Sequence, residues 1–262
     1  MLFRSVLDDP AYLDDARKAA GFVLAKLYDP KTRRLLRRYR AGDARFDASL
    51  EDYSFFVMGL LDLYEASLDA AWLERAAHLT ARQMELFFDD KESGFFDTSG
   101  GDASLLWRTR ETYDGAEPSG ASIAVWNLLR LAHMTDNRRF RDQAARALNL
   151  LAATLEKDPE SMPQMLVALD FQLDKPKQII LAAERGSPGL AEILREVHRR
   201  YIPNKVILLA DAAGRRALAR SLPVLESMKM RGGKATAYIC ENYACRLPTS
   251  DPRVVAQILD GR

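Results

Sequence analysis

Apolar residues recur at three- and four-residue spacing over most of the chain, the pattern of helices that bury one face. The pattern also repeats. "VMGLLDLYEASLDAAWLERAA" (57–77) falls without a gap on "VWNLLRLAHMTDNRRFRDQAA" (125–145) at an offset of 68. Val57 meets Val125, Leu60 meets Leu128, Leu61 meets Leu129, Trp72 meets Phe140 and Ala76 meets Ala144. Each copy reads as an apolar helix, a short polar turn ("SLDAA", "TDNRR") and a second helix that opens with an aromatic residue. A half copy, 11–36, lies on 71–96 at an offset of 60 and lacks its first helix. The chain therefore predicts a half hairpin at 10–28, whole hairpins at 50–89 and 119–156, and the start of a further inner helix at 161–173. A two-helix unit of 60–68 residues suits stacked hairpins. It fits an arc of an α/α toroid, in which inner and outer helices alternate.

After Pro176 the period changes. "KQIILAA" (177–183), "NKVILLAD" (204–211) and "ATAYICEN" (235–242) read as strands. The stretches 188–201 and 250–259 read as helices opened by proline. The first two strands with the helix between them form a parallel crossover unit. The expected division is a partial toroid over 1–175 and a small α/β subdomain over 176–262. Between hairpins, 35–47 and 93–118 mix aromatic residues with Gly and Asp and read as irregular loops or short β-hairpins.

Composition narrows the function classes. The 262 residues are 48% apolar and 29% charged, and 38 Lys and Arg against 37 Asp and Glu leave a formal charge of +1. That balance argues against a dedicated nucleic-acid binder. The basic run Arg33, Arg34, Arg37, Arg38 and Arg40 reads as a solvated hairpin or an anion grip. No apolar run reaches the ~18 residues of a membrane span. "MLFRSVLDDPAYLDDA" turns acidic too soon for a secretory leader, so the default is a soluble cytoplasmic protein. No cofactor or metal is expected: the three histidines lack ligand spacing, and "GSPGL" (186–190) lacks the phosphate-loop lysine. Cys240 and Cys245, spaced C-x4-C, read as inert thiols, a redox pair or half of a metal site.

The two inner helices open at "ASLEDYSFF" (48–56) and "EPSGASIAV" (117–125), and the repeat puts both starts on one rim. Ser49 and Asp52 match a capping box, and Ser119 is placed to cap the second helix. The functional alternative takes Glu51, Asp52, Asp114 and Glu117 as candidate catalytic carboxylates, because glycoside cleavage needs one protonated and one ionised acid. Arg108 and Arg110 could hold an anionic substrate or neutralise these acids. Tyr53, Trp107 and Tyr113 could stack on sugar rings, with Ser119 and Ser122 as polar contacts.

"LEDYSFFVMGLLDLYEA", "DGAEPSGASIAVWNLLRLA" and "ATAYICENYACRLPTSDP", in this order, resemble the spermatogenesis-associated protein 20-like family. The resemblance covers essentially the whole chain but only the C-terminal part of the family. It implies a thioredoxin-like domain followed by a toroid related to six-hairpin glycosidases and sugar epimerases. The thioredoxin-like part and the first hairpins are missing here, and the family's PSGNS pattern carries Ala121 in place of the Asn. The reading is an uncharacterised toroid fragment, glycoside hydrolase- or epimerase-like if it is an enzyme, acting on a carbohydrate or sugar-like metabolite. The alternative is a non-catalytic ligand- or partner-binding module linked to thioredoxin-type redox function. An open arc also implies a homodimer, or an N-terminal fragment that completes the ring, docked on residues 10–28 and 161–173.

Overall fold

The computed structural model describes residues 9–101, 105–242 and 244–261. Residues 1–8 of the segment read for a leader, and residues 102–104 of the second loop, lie outside the described residues. The described chain is mainly α. It runs α1 (Pro10–Lys26), β1 (Tyr28–Asp29), β2 (Arg34–Arg40), β3 (Asp43–Asp47), α2 (Leu50–Ser67), α3 (Ala70–Phe87), β4 (Phe88–Asp89) and β5 (Gly94–Phe95). Then come α4 (Gly120–Thr135), α5 (Arg138–Lys157), a short 3-10 turn (Pro159–Ser161) and α6 (Pro163–Leu173). The last part holds β6 (Lys177–Ala182), α7 (Pro188–His198), β7 (Lys205–Leu209), α8 (Ala212–Leu218), a second 3-10 turn (Pro223–Glu226), β8 (Thr236–Glu241), β9 (Ala244–Cys245) and α9 (Pro252–Leu259).

The internal repeat is carried by the turns. Helix α2 ends on Leu68 and α4 on Asp136, both left-handed, and the next residues, Asp69 and Asn137, cap α3 and α5. Both pairs are 68 apart, the offset of the sequence alignment. At the other offset, Asp9 caps α1 as Asp69 caps α3, 60 residues later. Asp29 and Asp89 then each accept the N–H two residues on, at 2.9 Å. Tyr28 pairs with Leu35 as Phe88 pairs with Phe95. The helix starts do not keep the offset. Ser49 and Ser119 are 70 apart, because α4 is two residues shorter than α2.

Helix α4 packs against α2, α5 and α6, while α2 packs against α1, α3 and α4. So α2, α4 and α6 form one row, backed by α1, α3 and α5. The loops between hairpins are β-hairpins: β1–β2–β3 make one antiparallel sheet and β4–β5 another.

The last third is a four-stranded sheet in the order β7-β6-β8-β9, with β6 parallel to β7 and antiparallel to β8. Side chains alternate along the strands. Ile180, Ala182, Val206, Leu208 and Tyr238 join the core of the helix rows. Ile179, Leu181, Ile207, Leu209 and Ile239 pack with α7 and α9. One apolar core thus runs from Leu13 of α1 through the helix rows into the sheet, across residue 175.

The sheet meets the C-terminal ends of the helix row. The edge strand β7 donates Ile207 N–H to Glu65 and Leu209 N–H to the Tyr64 hydroxyl, both at 3.2 Å. Side chains from α2 therefore cover an edge that would otherwise template pairing. Gln178 of β6 donates to the carbonyl of His133 at 2.8 Å.

Candidate functional site

Three helices open at one edge. Glycine at 120 lets α4 meet α2: a Cβ there would stand 2.9 Å from the Glu51 backbone. Asp114, buried ahead of α4, ties in the third start. One of its oxygens accepts Ser119 N–H at 2.8 Å, and the other accepts Gln164 N–H at 2.8 Å and Met165 N–H at 3.2 Å. It thereby supplies the N-terminal partner that Met162, at the cap of α6, cannot.

Each opening is capped by its own sequence. The Asp52 carboxylate accepts the Ser49 N–H at 2.8 Å and its hydroxyl at 2.9 Å, while Ser49 Oγ accepts Asp52 N–H at 3.4 Å. Arg37 of β2 stands 4.0 Å from Asp52. Ser119 Oγ accepts Ser122 N–H at 3.1 Å and donates to Ser122 Oγ at 2.9 Å, with both serines buried.

The remaining candidate residues divide by exposure. Tyr53 is buried, its hydroxyl accepting Leu35 N–H at 2.8 Å and its ring edge-on to Phe87; burial raises its pKa. Arg108 donates to the carbonyls of Thr98 and Leu86 and lies 3.9 Å over the Phe96 ring. Arg110 pairs with Asp89 and Glu92 over the same ring. These two arginines hold the β4–β5 hairpin and its following loop in place. Glu117 and Glu51 stay open at the rim, exposed and half-buried. Trp107 and Tyr113 are 72% and 63% exposed, far above what core packing gives an aromatic residue.

A cleft of about 410 Å³ opens beside the start of α2. Arg37, Asp47 and Ser49 line one wall, Thr98, Ser99 and Leu105 the other. Among the described residues, Thr98 Oγ1 is buried without a hydrogen-bond partner. Sequence reading missed this cleft. Its walls come from β2–β3 and from residues 98–101 with Leu105, brought together where Leu50 N–H at the start of α2 donates to the Asp97 carbonyl rather than by any motif.

The opposite end of the row is closed and charged. The Arg130 side chain is 4% exposed and pairs with Asp62 and Glu65, each at 2.9 Å, with its guanidinium over Trp126. Burial raises the Glu65 carboxyl above its ordinary pKa, opposed by Arg130, and lowers the Lys205 ammonium. The sequence held a signal for this cluster: the offset of 68 sets Arg130 over Asp62, a charge reversal at equivalent positions of neighbouring helices.

Among the described residues no group of three or more His, Cys, Asp and Glu is placed to hold a metal ion. No helix of the described residues is long and apolar enough to cross a membrane.

No family model matches the chain. Curated relatives do. Human spermatogenesis-associated protein 20 is 36% identical over 264 residues, covering 97% of this chain and 34% of the relative. The rat protein of that name is 36% identical with the same coverage. An uncharacterised Caenorhabditis elegans protein is 27% identical, over 92% of this chain and 33% of its own length. The chain thus spans about a third of the length of the curated relatives it matches. With that similarity running through the helix row, the rim and the sheet alike, the chain belongs to the spermatogenesis-associated protein 20-like family and corresponds to a C-terminal part of its members.

Proposed function

We propose that this chain is an arc of an α/α toroid that binds a small, polar, sugar-like ligand at the open rim and does not itself turn it over. The observation that carries this reading is the engagement of the acids. Asp52 is held in a capping box with Arg37 beside it, and Asp114 is spent on three backbone N–H groups. Carboxylates spent on capping donors are not placed to exchange a proton with a ligand, because a general acid or base must stand within hydrogen-bond reach of the reacting group. What stays open is a polar cleft with one arginine, Arg37, one carboxylate, Asp47, and the hydroxyls of Ser49 and Ser99, the donor and acceptor mix that orients a polyol. Exposed Trp107 and Tyr113 on the same loop system supply apolar ring faces.

A catalytic reading survives on one observation: Glu51 and Glu117 are open and sit on adjacent helix starts. The test is a titration of the protein with glucose, N-acetylglucosamine and glucuronate, followed by NMR of both protein and sugar. Saturable shifts at residues 37–52 and 97–101 with unchanged sugar support binding alone. Hydrolysis or epimerisation abolished by Glu51→Gln or Glu117→Gln replaces it with the catalytic reading. Absence of any shift rejects both. The arc's completion by a second copy, or by the rest of a longer family member, through α1 and α6 belongs to the same proposal. Phe22 on α1 and Val167 and Leu173 on α6 are exposed apolar side chains there. A sedimentation measurement that finds only monomer would remove the homodimer.

A further inference from the structure

Cys240 and Cys245 form a disulfide across the β8–β9 hairpin, so the pair is present neither as inert thiols nor as half of a metal site. They are directly opposed residues of the antiparallel pair. Arg246 N–H donates to the Ile239 carbonyl at 2.9 Å, just outside them, so they occupy a non-hydrogen-bonded position of the ladder, where side chains stand closest.

We propose that this disulfide is an exchange site for small thiols of the glutathione type, attacked at Cys245, whose opening frees the hairpin tip and leaves the fold intact. The two sulfurs differ sharply in surroundings. Cys245 lies on an exposed edge strand of two residues. Cys240 is 3% exposed, on a strand paired on both sides. An incoming thiolate therefore reaches the Cys245 sulfur and not the other. Exposed disulfides are the exchangeable ones.

The leaving group has a place to go. Cys240 faces a cavity of about 40 Å³ lined by Ala132, His133, Asp136, Gln178 and Asn242, at the junction of α4 with β6. The step balances as follows. The external thiolate forms a bond to Cys245 sulfur, the Cys240–Cys245 bond breaks, and Cys240 leaves as thiolate and takes a proton from water. A second external thiol then attacks the mixed disulfide, releasing Cys245 and an oxidised dimer of the reductant. Two external thiols are oxidised and one protein disulfide is reduced.

The rest of the protein tolerates the change. The bond closes a sequence separation of only 5, the weakest kind of chain restraint. Beyond it the same segment stays anchored, because Ala237 and Thr249 exchange both backbone hydrogen bonds, at 2.8 and 3.1 Å.

The experiment incubates the native protein in buffers of varied reduced and oxidised glutathione, quenches samples in acid, counts thiols in denaturant with a thiol-reactive polyethylene glycol and follows the fold of the unquenched protein by circular dichroism. The expected result is two modifiable thiols appearing together while the spectrum is unchanged, with faster amide exchange confined to 241–247. Two variants test direction. Cys240→Ser should form a mixed disulfide with glutathione at residue 245 at least about tenfold faster than Cys245→Ser does at residue 240, as a buried thiol requires. The proposal is overturned if the bond opens only in denaturant, if both variants react equally fast, or if opening it unfolds the sheet.

Discussion

The two ends of the α2–α4–α6 row make the informative comparison. At the start, the helices are capped by short side chains, Ser49, Ser119 and Asp114, and the groups beyond them face an open cleft. At the finish, the helices meet β6 and β7, with Arg130 and Tyr64 buried and Glu65 half-buried in the seam. A buried charge sits at each end, Asp114 at the start and Arg130 at the finish. Asp114 is matched by backbone N–H groups of the helix starts, and Arg130 by the part-buried carboxylates of Asp62 and Glu65. The row is therefore held by backbone caps where it is open and by side-chain ion pairs where the sheet covers it.

This comparison can be broken at the sealed end first. Arg130→Met removes the shared partner of two part-buried carboxylates and is expected to cost about 1–3 kcal/mol in urea unfolding. A loss under 0.5 kcal/mol, on the order of an exposed pair, would mean that water solvates Asp62 and Glu65 as it does a surface pair. At the open end, Asp114→Ala removes the acceptor for three N–H groups on two helix starts and is expected to cost about 2–3 kcal/mol, with Asp114→Asn recovering part of it. Gly120→Val forces a side chain against the Glu51 backbone and is expected to cost about 1–3 kcal/mol through separation of α2 from α4.

The smallest effect is one of pH. Burial lowers the His133 pKa below its ordinary 6.5, helped by Arg141. The unfolded chain therefore binds this proton more readily than the folded one. The group's stability contribution is complete above pH 6.5 and is lost as pH falls from 6.5 towards the folded value. His133→Gln should flatten that limb of the stability curve by up to about 1 kcal/mol. An unchanged slope would show that His133 is wetter than the Phe171 edge packed against it implies.

How much of this was legible in the sequence follows from how local each feature is. The hairpin turns were legible because each lies within five residues and uses fixed chemistry, a left-handed cap followed by Asp or Asn. The Ser49–Asp52 box was legible for the same reason. The strand–helix–strand order after Pro176 came from the change of period. The double use of Asp114 was not legible, since its partners Gln164 and Met165 lie 50 and 51 residues away. Nor were the roles of Arg108 and Arg110, whose acceptors are backbone carbonyls and a neighbouring hairpin's acids. The disulfide depended on a two-residue edge strand too short to carry a periodic signal.

The account rests on three helices sharing one starting edge. The most direct measurement attaches a nitroxide at Glu117→Cys and reads paramagnetic broadening of amide signals by NMR. Helix α2, 18 residues long, places its two ends about 27 Å apart. The prediction is strong broadening at 49–53 and 162–166, with 62–68 and 131–136 broadened much less and least at 66–68 and 135–136. Broadening at 62–68 or 131–136 in place of 49–53 would contradict it, because the helices would then open at opposite ends of the molecule.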